Sequence, residues 1–184
     1  MNVYDFDNTI LRGDSSARFF AYCLKHYPKM WLDIPGQAFN GLFYILSLRP
    51  KRAFKQRMFG FLRFIPNVDA ALEGFWAENL PRIKRWYRQQ HKPNDVIITA
   101  SPEFLVRPAC EKLGIHFVIG TTVDKHTGKF NSQNCHGAEK VGRFREQFPV
   151  ANVEAFYSDS RSDAPMAELA KEAFLVKGDR VIPW

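Results

Sequence analysis

VYDFDNT, residues 3–9, sets how the rest of the chain reads. Val3 and Tyr4 start as a strand that breaks off into Asp5, Phe6, Asp7, Asn8 and Thr9. Side chains two apart in an extended chain share one face. Asp5 and Asp7 therefore repel each other, which raises proton affinity. A strand end that bears this cost suggests a site that needs both acids, with a cation or an anion nearby. The opposing reading is an Asx-turn with Asn8.

Outward from that stretch, strand and helix signals alternate. DVIITA (95–100), bounded by PND and SP, reads as a buried strand. EFLVRPACEKLG (103–114) reads as a helix ended by Gly114, HFVIGTTV (116–123) as a strand, and KHTGKF (125–130) as a hairpin turn. GAEKVGRFREQF (137–148) is helical, VEAFYS (153–158) a strand, SDAPMAELAKEA (162–173) a helix and FLV (174–176) a last strand. This order predicts an open, mostly parallel α/β sheet. An all-helical stretch, about 15–92, follows the first strand; it opens with the capping chemistry of GDSS (13–16) and is broken by Pro28, Pro35, Pro50 and Pro66. Within it, Phe54, Met58, Phe61 and Ile65 repeat as an apolar helix face.

A length of 184 residues fits one core with one sizeable insertion, and 46% apolar with 15% aromatic residues fills a globular core and argues against disorder. Three irregularly spaced cysteines suggest a reducing compartment. No signal-peptide pattern precedes the first strand. WLDIPGQAFNGLFYILSL (31–48) carries Asp33, Pro35, Gly36, Gln37 and Asn40, and reads as not spanning a membrane. The net charge of +7 is uneven: residues 15–92 hold 14 Lys/Arg against 4 Asp/Glu, the remainder 12 against 15. One part of the molecule is thus expected to face something anionic. Residues 47–64 hold six Lys/Arg, four Phe and no acid, a cationic amphipathic pattern of the kind that lies on anionic lipid. The plain alternative is a solvated face over a helical core.

Sites in open α/β sheets form outside the carboxyl ends of the strands. The residues expected at those ends are Asp5 and Asp7, Ser101 and Glu103, Lys140, and Asp159 with Asp163. Carboxylates, a hydroxyl and a lysine on one rim can hold a divalent metal and a phosphate. Taken singly, Ser101 before Pro102 could cap a helix, Lys140 could be solvated, and Asp163 could be an N-cap. The five histidines show no metal-ligand spacing.

DFDNT, the end of IITAS, Lys140 in GAEKV and SDSRSD, in this order, resemble the four motifs of the haloacid-dehalogenase (HAD) superfamily. The helical insertion resembles the cap of its phosphoserine-phosphatase-like branch. The resemblance implies a HAD-like Rossmannoid α/β core of residues 1–14 and 93–184, a helical cap of residues 15–92, and a cytoplasmic Mg²⁺-dependent phosphatase acting on a phosphate monoester. It implies Asp5 as nucleophile forming an aspartyl-phosphate and Asp7 as general acid and base. The Asp5 side chain, the Asp7 carbonyl and Asp159 would hold Mg²⁺; Thr9, Ser101 and Lys140 would bind the phosphoryl group. Asp163 would orient a metal-bound water or Lys140. Two departures stand out: Pro102 replaces a glycine whose N–H could meet phosphate, and Ser158, Ser160 and Ser162 replace Gly, Gly and Asn of a GDGxND pattern.

Asp14 lies where that branch places a glutamate for a substrate amine, and it equally reads as an N-cap. FFAYCLKHYPKMW (19–31), with the Pro, Arg and Lys residues beyond it, is also similar to the cap of bacterial HAD-type phosphatidylglycerophosphatases. Two substrates stay open: a phosphoserine-like small molecule, or a phosphatidylglycerophosphate-like lipid phosphate. The second would use Arg52 and bring peripheral contact with the inner face of an anionic membrane. The alternative from a different class is a non-catalytic nucleic-acid or partner-binding module on the same fold. The intact acid box and the lack of a single-strand-binding signature weigh against nucleic acid.

Overall fold

The computed structural model describes residues 1–46 and 57–184. Arg52, Phe54 and most of the basic part of 47–64 lie outside the described residues. Five parallel strands build the sheet: β1 (Asn2–Tyr4), β2 (Val96–Pro102), β3 (Phe117–Thr121), β4 (Val153–Ser158) and β5 (Ala170–Lys177). β6 (Arg180–Pro183) adds an antiparallel edge, and the order is β3-β2-β1-β4-β5-β6. β1 is central, and the chain crosses from one side of it to the other between β3 and β4. That crossing makes a crevice at the carboxyl end of β1.

Alternation along the strands sorts side chains to two faces. Val3, Val96, Ile98, Ile119 and Phe156 pack on one face with Phe144 of α6 (Ala138–Gln147) and Met166 of α7 (Ala164–Ala167). Tyr4, Ile97 and Val118 turn to the other face, where α5 (Glu103–Lys112) contributes Leu105, Val106 and Ala109. That second core continues into the described elements between β1 and β2, which are all helical: α1 (Ser15–His26), α2 (Ile34–Ile45), α3 (Val68–Asn79), α4 (Arg85–Gln90) and short 3-10 turns. Trp76 of α3 joins the two parts. Its indole N–H donates to the Leu105 carbonyl at 2.7 Å, and its ring meets Phe6 edge-on at 5.9 Å.

Two sequence expectations need correction. The face expected over Phe54–Ile65 is, from Phe59 to Phe64, a 3-10 turn that buries Phe59, Phe61 and Leu62. Its period of three residues per turn replaces the helical spacing. The helix expected over 162–173 shrinks to a turn at Arg161–Asp163 and to α7; strand β5 starts already at Ala170. Pairing along β4, from Val153↔Ala170 to Ser158↔Leu175, overrides the helix propensity of AKEA. Tyr4, Tyr157 and Phe174 then stack across three strands at 4.6 and 4.9 Å. The β6 hairpin had no counterpart in the sequence reading. No described helix is long and apolar enough to cross a membrane.

Two glycines bracket the packing. Gly128, at φ +73°, lies in the hairpin after β3, and a Cβ there would sit 2.1 Å from the Phe59 carbonyl oxygen. Gly142 lies exposed inside α6, with open space around its added Cβ. Gly128→Ala is expected to lower stability by about 2 kcal/mol or more through clash and left-handed strain. Gly142→Ala should raise it by ~0.5–1 kcal/mol. Urea unfolding midpoints check both signs.

Candidate active site

The carboxyl ends of β1, β2 and β4 and the start of α6 open onto one cavity of about 330 Å³. Asp5, Asp7, Asp14, Ser101, Lys140, Asp159 and Asp163 all line it. Phe6 explains why Asp5 and Asp7 share a side: it is fully buried against Trp76, so its two neighbours turn the other way. Asn8, next in the chain, takes φ 57°, and the backbone swings away from the sheet.

Lys140 is 1% exposed. Its ammonium lies 2.7 Å from Asp5 Oδ1 and 2.7 Å from Asp163 Oδ2. Burial works against the charge on Lys140, but the two carboxylates outweigh it and hold its pKa above the ordinary lysine value. Burial pushes the Asp5 carboxyl upward, with Lys140 opposing. The Asp7 carboxyl is pushed up to about 7, first by burial and then by repulsion from Asp14. Asp159 is raised to about 6 by burial and by Asp5.

Apart from Arg52, which lies outside the described residues, the residues expected from the sequence fall as follows. Ser101 does not cap α5; its hydroxyl donates to Asp7 Oδ2. Asp163 precedes α7 without a side-chain cap bond, and its Oδ2 accepts from Lys140 and from Ser158. Asp14 is the N-cap of α1, its Oδ1 accepting the Ala17 N–H at 2.8 Å, and the residue also lines the cavity. Thr9, expected at the phosphate, is fully buried behind Asp5. Its hydroxyl donates to Asp5 Oδ2 at 3.2 Å and accepts the Asp159 N–H at 2.9 Å. The serines that replace glycines cost no backbone strain, since Asn8 alone of the described non-glycine residues has positive φ. Ser158 donates to Asp163 at 2.8 Å, and Ser160 accepts the Ser162 N–H at 3.2 Å.

The sequence reading missed Ser15 and Ser16. The Ser15 N–H, at the start of α1, donates to Asp7 Oδ1 at 2.7 Å. The hydroxyls of Ser15 and Ser16 stand 3.2 and 3.1 Å from Ser101 Oγ. In GDSS these two look like capping residues; the signal they gave was consumed by Asp14, the actual cap.

A magnesium ion takes hard oxygen ligands and keeps several waters. Among the described residues no three His, Cys, Asp or Glu side chains converge as a full ligand set. The site offers two adjacent carboxylates, Asp5 and Asp159, whose repulsion raises the latter. It also offers Asp163 Oδ1, buried without a hydrogen-bond partner. Asp159, with no cationic partner among the described residues, beside a buried acceptor short of a donor, fits a hard divalent cation with bound water.

The family model described as haloacid dehalogenase-like hydrolase matches residues 3–168, and the chain belongs to that family. The resemblance read from the four motifs is thereby borne out. The protein CicA of Caulobacter vibrioides is 37% identical over 92 residues, 47% of this chain; the match spans 40% of CicA. A histidinol-phosphatase of Neisseria meningitidis is 23% identical over 96% of this chain and 90% of its own length. A crystal structure of a Bordetella pertussis protein of unknown function shares the fold, with a TM-score of 0.75 at 19% identity over 94% of this chain and 87% of that one.

A second buried lysine supports the loop that carries the acids. Lys84, 2% exposed, follows the 3-10 turn Leu80–Arg82, and its N–H donates to the Ile10 carbonyl at 2.8 Å. Its ammonium donates to the carbonyls of Asn8 and of Gly178 in the β5–β6 turn. Burial lowers its pKa. This lysine ties three segments together one residue after Asp7. Lys84→Met should destabilise by ~1–3 kcal/mol, because the carbonyls lose their donor. Chemical denaturation reads the loss, and an unchanged midpoint would show that Lys84 holds nothing.

Proposed function

We propose that the chain is a Mg²⁺-dependent phosphomonoester phosphatase that works through an aspartyl-phosphate, with residues 15–92 as a helical cap. The observation that carries this reading is the Asp5–Lys140–Asp163 chain beside Asp7 and Asp159 in one cavity, in a member of a hydrolase family. Hydrolysis of phosphate monoesters is among the slowest uncatalysed reactions, so several effects must combine. Asp5 attacks phosphorus: a carboxylate O–P bond forms and the ester P–O bond breaks. Asp7 gives its proton to the departing alkoxide, and Ser101 and the Ser15 N–H hold its carboxyl in place. Water then attacks the aspartyl-phosphate, Asp7 takes up a proton from it, and phosphate leaves with Asp5 restored. Lys140 and Ser101 meet the phosphoryl oxygens, while Thr9 fixes Asp5 against the Asp159 loop. Asp5, the Asp7 carbonyl and Asp159 would hold Mg²⁺, which would supply counter-charge for the phosphate and the crowded carboxylates, and Asp163 keeps Lys140 in place beside Asp5.

For the substrate, a small amino-alcohol phosphate fits best. Asp14 adds an acid to the cavity lining, to which Met58 and Phe59 contribute apolar surface. A cationic amine with a short apolar body suits that pairing. The similarity to a protein named histidinol-phosphatase over nearly the whole chain supports the same class.

Phosphate release should be measured from phosphoserine, histidinol phosphate and detergent-dispersed phosphatidylglycerophosphate, with Mg²⁺ and with excess EDTA. Asp5→Asn is expected to lower turnover by ~10³-fold or more with the fold retained. EDTA should abolish release and added Mg²⁺ restore it. Near-normal turnover in Asp5→Asn would sink the mechanism. A lipid preference would replace the amino-alcohol reading, and no release from any ester would favour a non-catalytic binding module.

A further inference from the structure

Helix α2 is inside out. Phe39, Leu42 and Leu46 fall at i, i+3 and i+7, the spacing of a single helical face. That face, with Ile45 and with Trp31 and Leu32 of the preceding 3-10 turn, is 51–79% exposed. The inward side carries Gly36, Gln37 and Gly41 instead, all half-buried. Gln37 donates to Asp33 Oδ2 at 2.6 Å and to the Arg57 carbonyl at 3.1 Å. A Cβ on Gly36 would lie 2.2 Å from the Arg57 guanidinium. Asp33, 3% exposed, is in turn bonded by Arg57 at 2.9 Å and Arg63 at 3.1 Å. The helix is thus fastened by its polar edge, with its apolar edge turned to solvent. With Phe43, seven large apolar side chains within sixteen residues (31–46) are exposed, which exceeds scattered surface hydrophobicity and marks an interaction face.

Charge selects the occupant. Residues 15–64 hold nine Lys/Arg and one acid, Asp33. That acid is buried and bonded by Arg57 and Arg63, so this part of the chain carries a net positive charge with no exposed acid in its sequence. A second copy would bring two such basic faces together, which repulsion opposes. The next ten residues, SLRPKRAFKQ (47–56), hold four Lys/Arg and, besides Pro50, only Leu48, Ala53 and Phe54 as apolar residues, too few to cover seven large side chains. An apolar edge flanked by positive charge matches an anionic bilayer, whose surface attracts the charges and whose acyl boundary takes the side chains. We infer that the 3-10 turn Pro28–Asp33 and α2 dock in plane on anionic lipid, with Trp31, Phe39, Leu42 and Leu46 inserted. None of these residues belongs to the cavity, so the inference stands apart from the catalytic reading.

Co-sedimentation with phosphatidylcholine vesicles, and with equimolar phosphatidylcholine and phosphatidylglycerol vesicles, tests this. The full chain should bind the anionic vesicles at least about tenfold more tightly than the neutral ones. Binding should weaken in about 1 M salt, where the Debye length shrinks to ~3 Å. Leu42→Glu/Leu46→Glu should lose the binding by tenfold or more while hydrolysing a soluble ester as before. Brominated lipids should quench the wild-type fluorescence, and Trp31→Phe should remove that quenching, which keeps the test valid if the double variant misfolds. The inference is overturned if neither vesicle binds, or if neutral and anionic vesicles bind alike. It is also overturned if light scattering shows a dimer that Leu42→Glu/Leu46→Glu dissolves while vesicle binding is absent; the occupant is then a second copy.

Discussion

One ammonium holds the site together. Lys140 on α6 reaches Asp5, 135 residues earlier, and Asp163, 23 residues later, at 2.7 Å each. Neither acid could stay charged and buried beside the other without it, since uncompensated charge in a protein interior is costly. The demand extends outward. For Lys140 to reach both, β1 and β4 must be neighbours, and α6 must cross behind them, which the strand order provides. The parallel pairing of Tyr4 with Tyr157 and the stacking of their rings at 4.6 Å keep that spacing. Fold and site are thus fixed by the same geometry.

Much of this was legible because it is local in sequence. Asp5, Asp7, Ser101 and Asp159 fall at or just beyond the end of an apolar β-rich run, and Asp163 follows within five residues, so strand ends located them without knowledge of distances. Lys140 was placed only by its order in the series. Where the reading fell short, distant chain segments decide. Ser15 and Ser16 meet Ser101 across 86 and 85 residues, and Lys84 meets Gly178 across 94. AKEA in β5 is helix-prone on its own and becomes a strand only because β4 lies beside it. Periodicity shows that α2 has an apolar face, but not which way that face turns; the buried Asp33 and its arginines set that.

The glycine-to-serine exchanges in SDSRSD show how a family pattern loosens where its physical reason is absent. Glycine is required where φ is positive or another backbone crowds in. Ser158 and Ser160 have neither need, so hydroxyls can replace hydrogens and brace Asp163 and the turn after it. Asn8 is the opposite case: its φ of 57° is real, and an asparagine bears it with the Lys84 ammonium on its carbonyl.

The helical insertion is joined to the core through contacts that reach the cavity from both sides. On one side Leu11 bridges Ile83, and Lys84 grips the loop after Asp7. On the other, the Gly128 hairpin presses against the Phe59 backbone. Phe59 is an apolar wall of the cavity, and Asp7 is part of its acid wall. The Phe59 wall is therefore seated on a core hairpin, while the loop bearing the acids is seated on the end of the insertion. Changes that shift the insertion therefore reach both walls, so the apolar and the acidic side of the cavity cannot be tuned as separate modules in this chain.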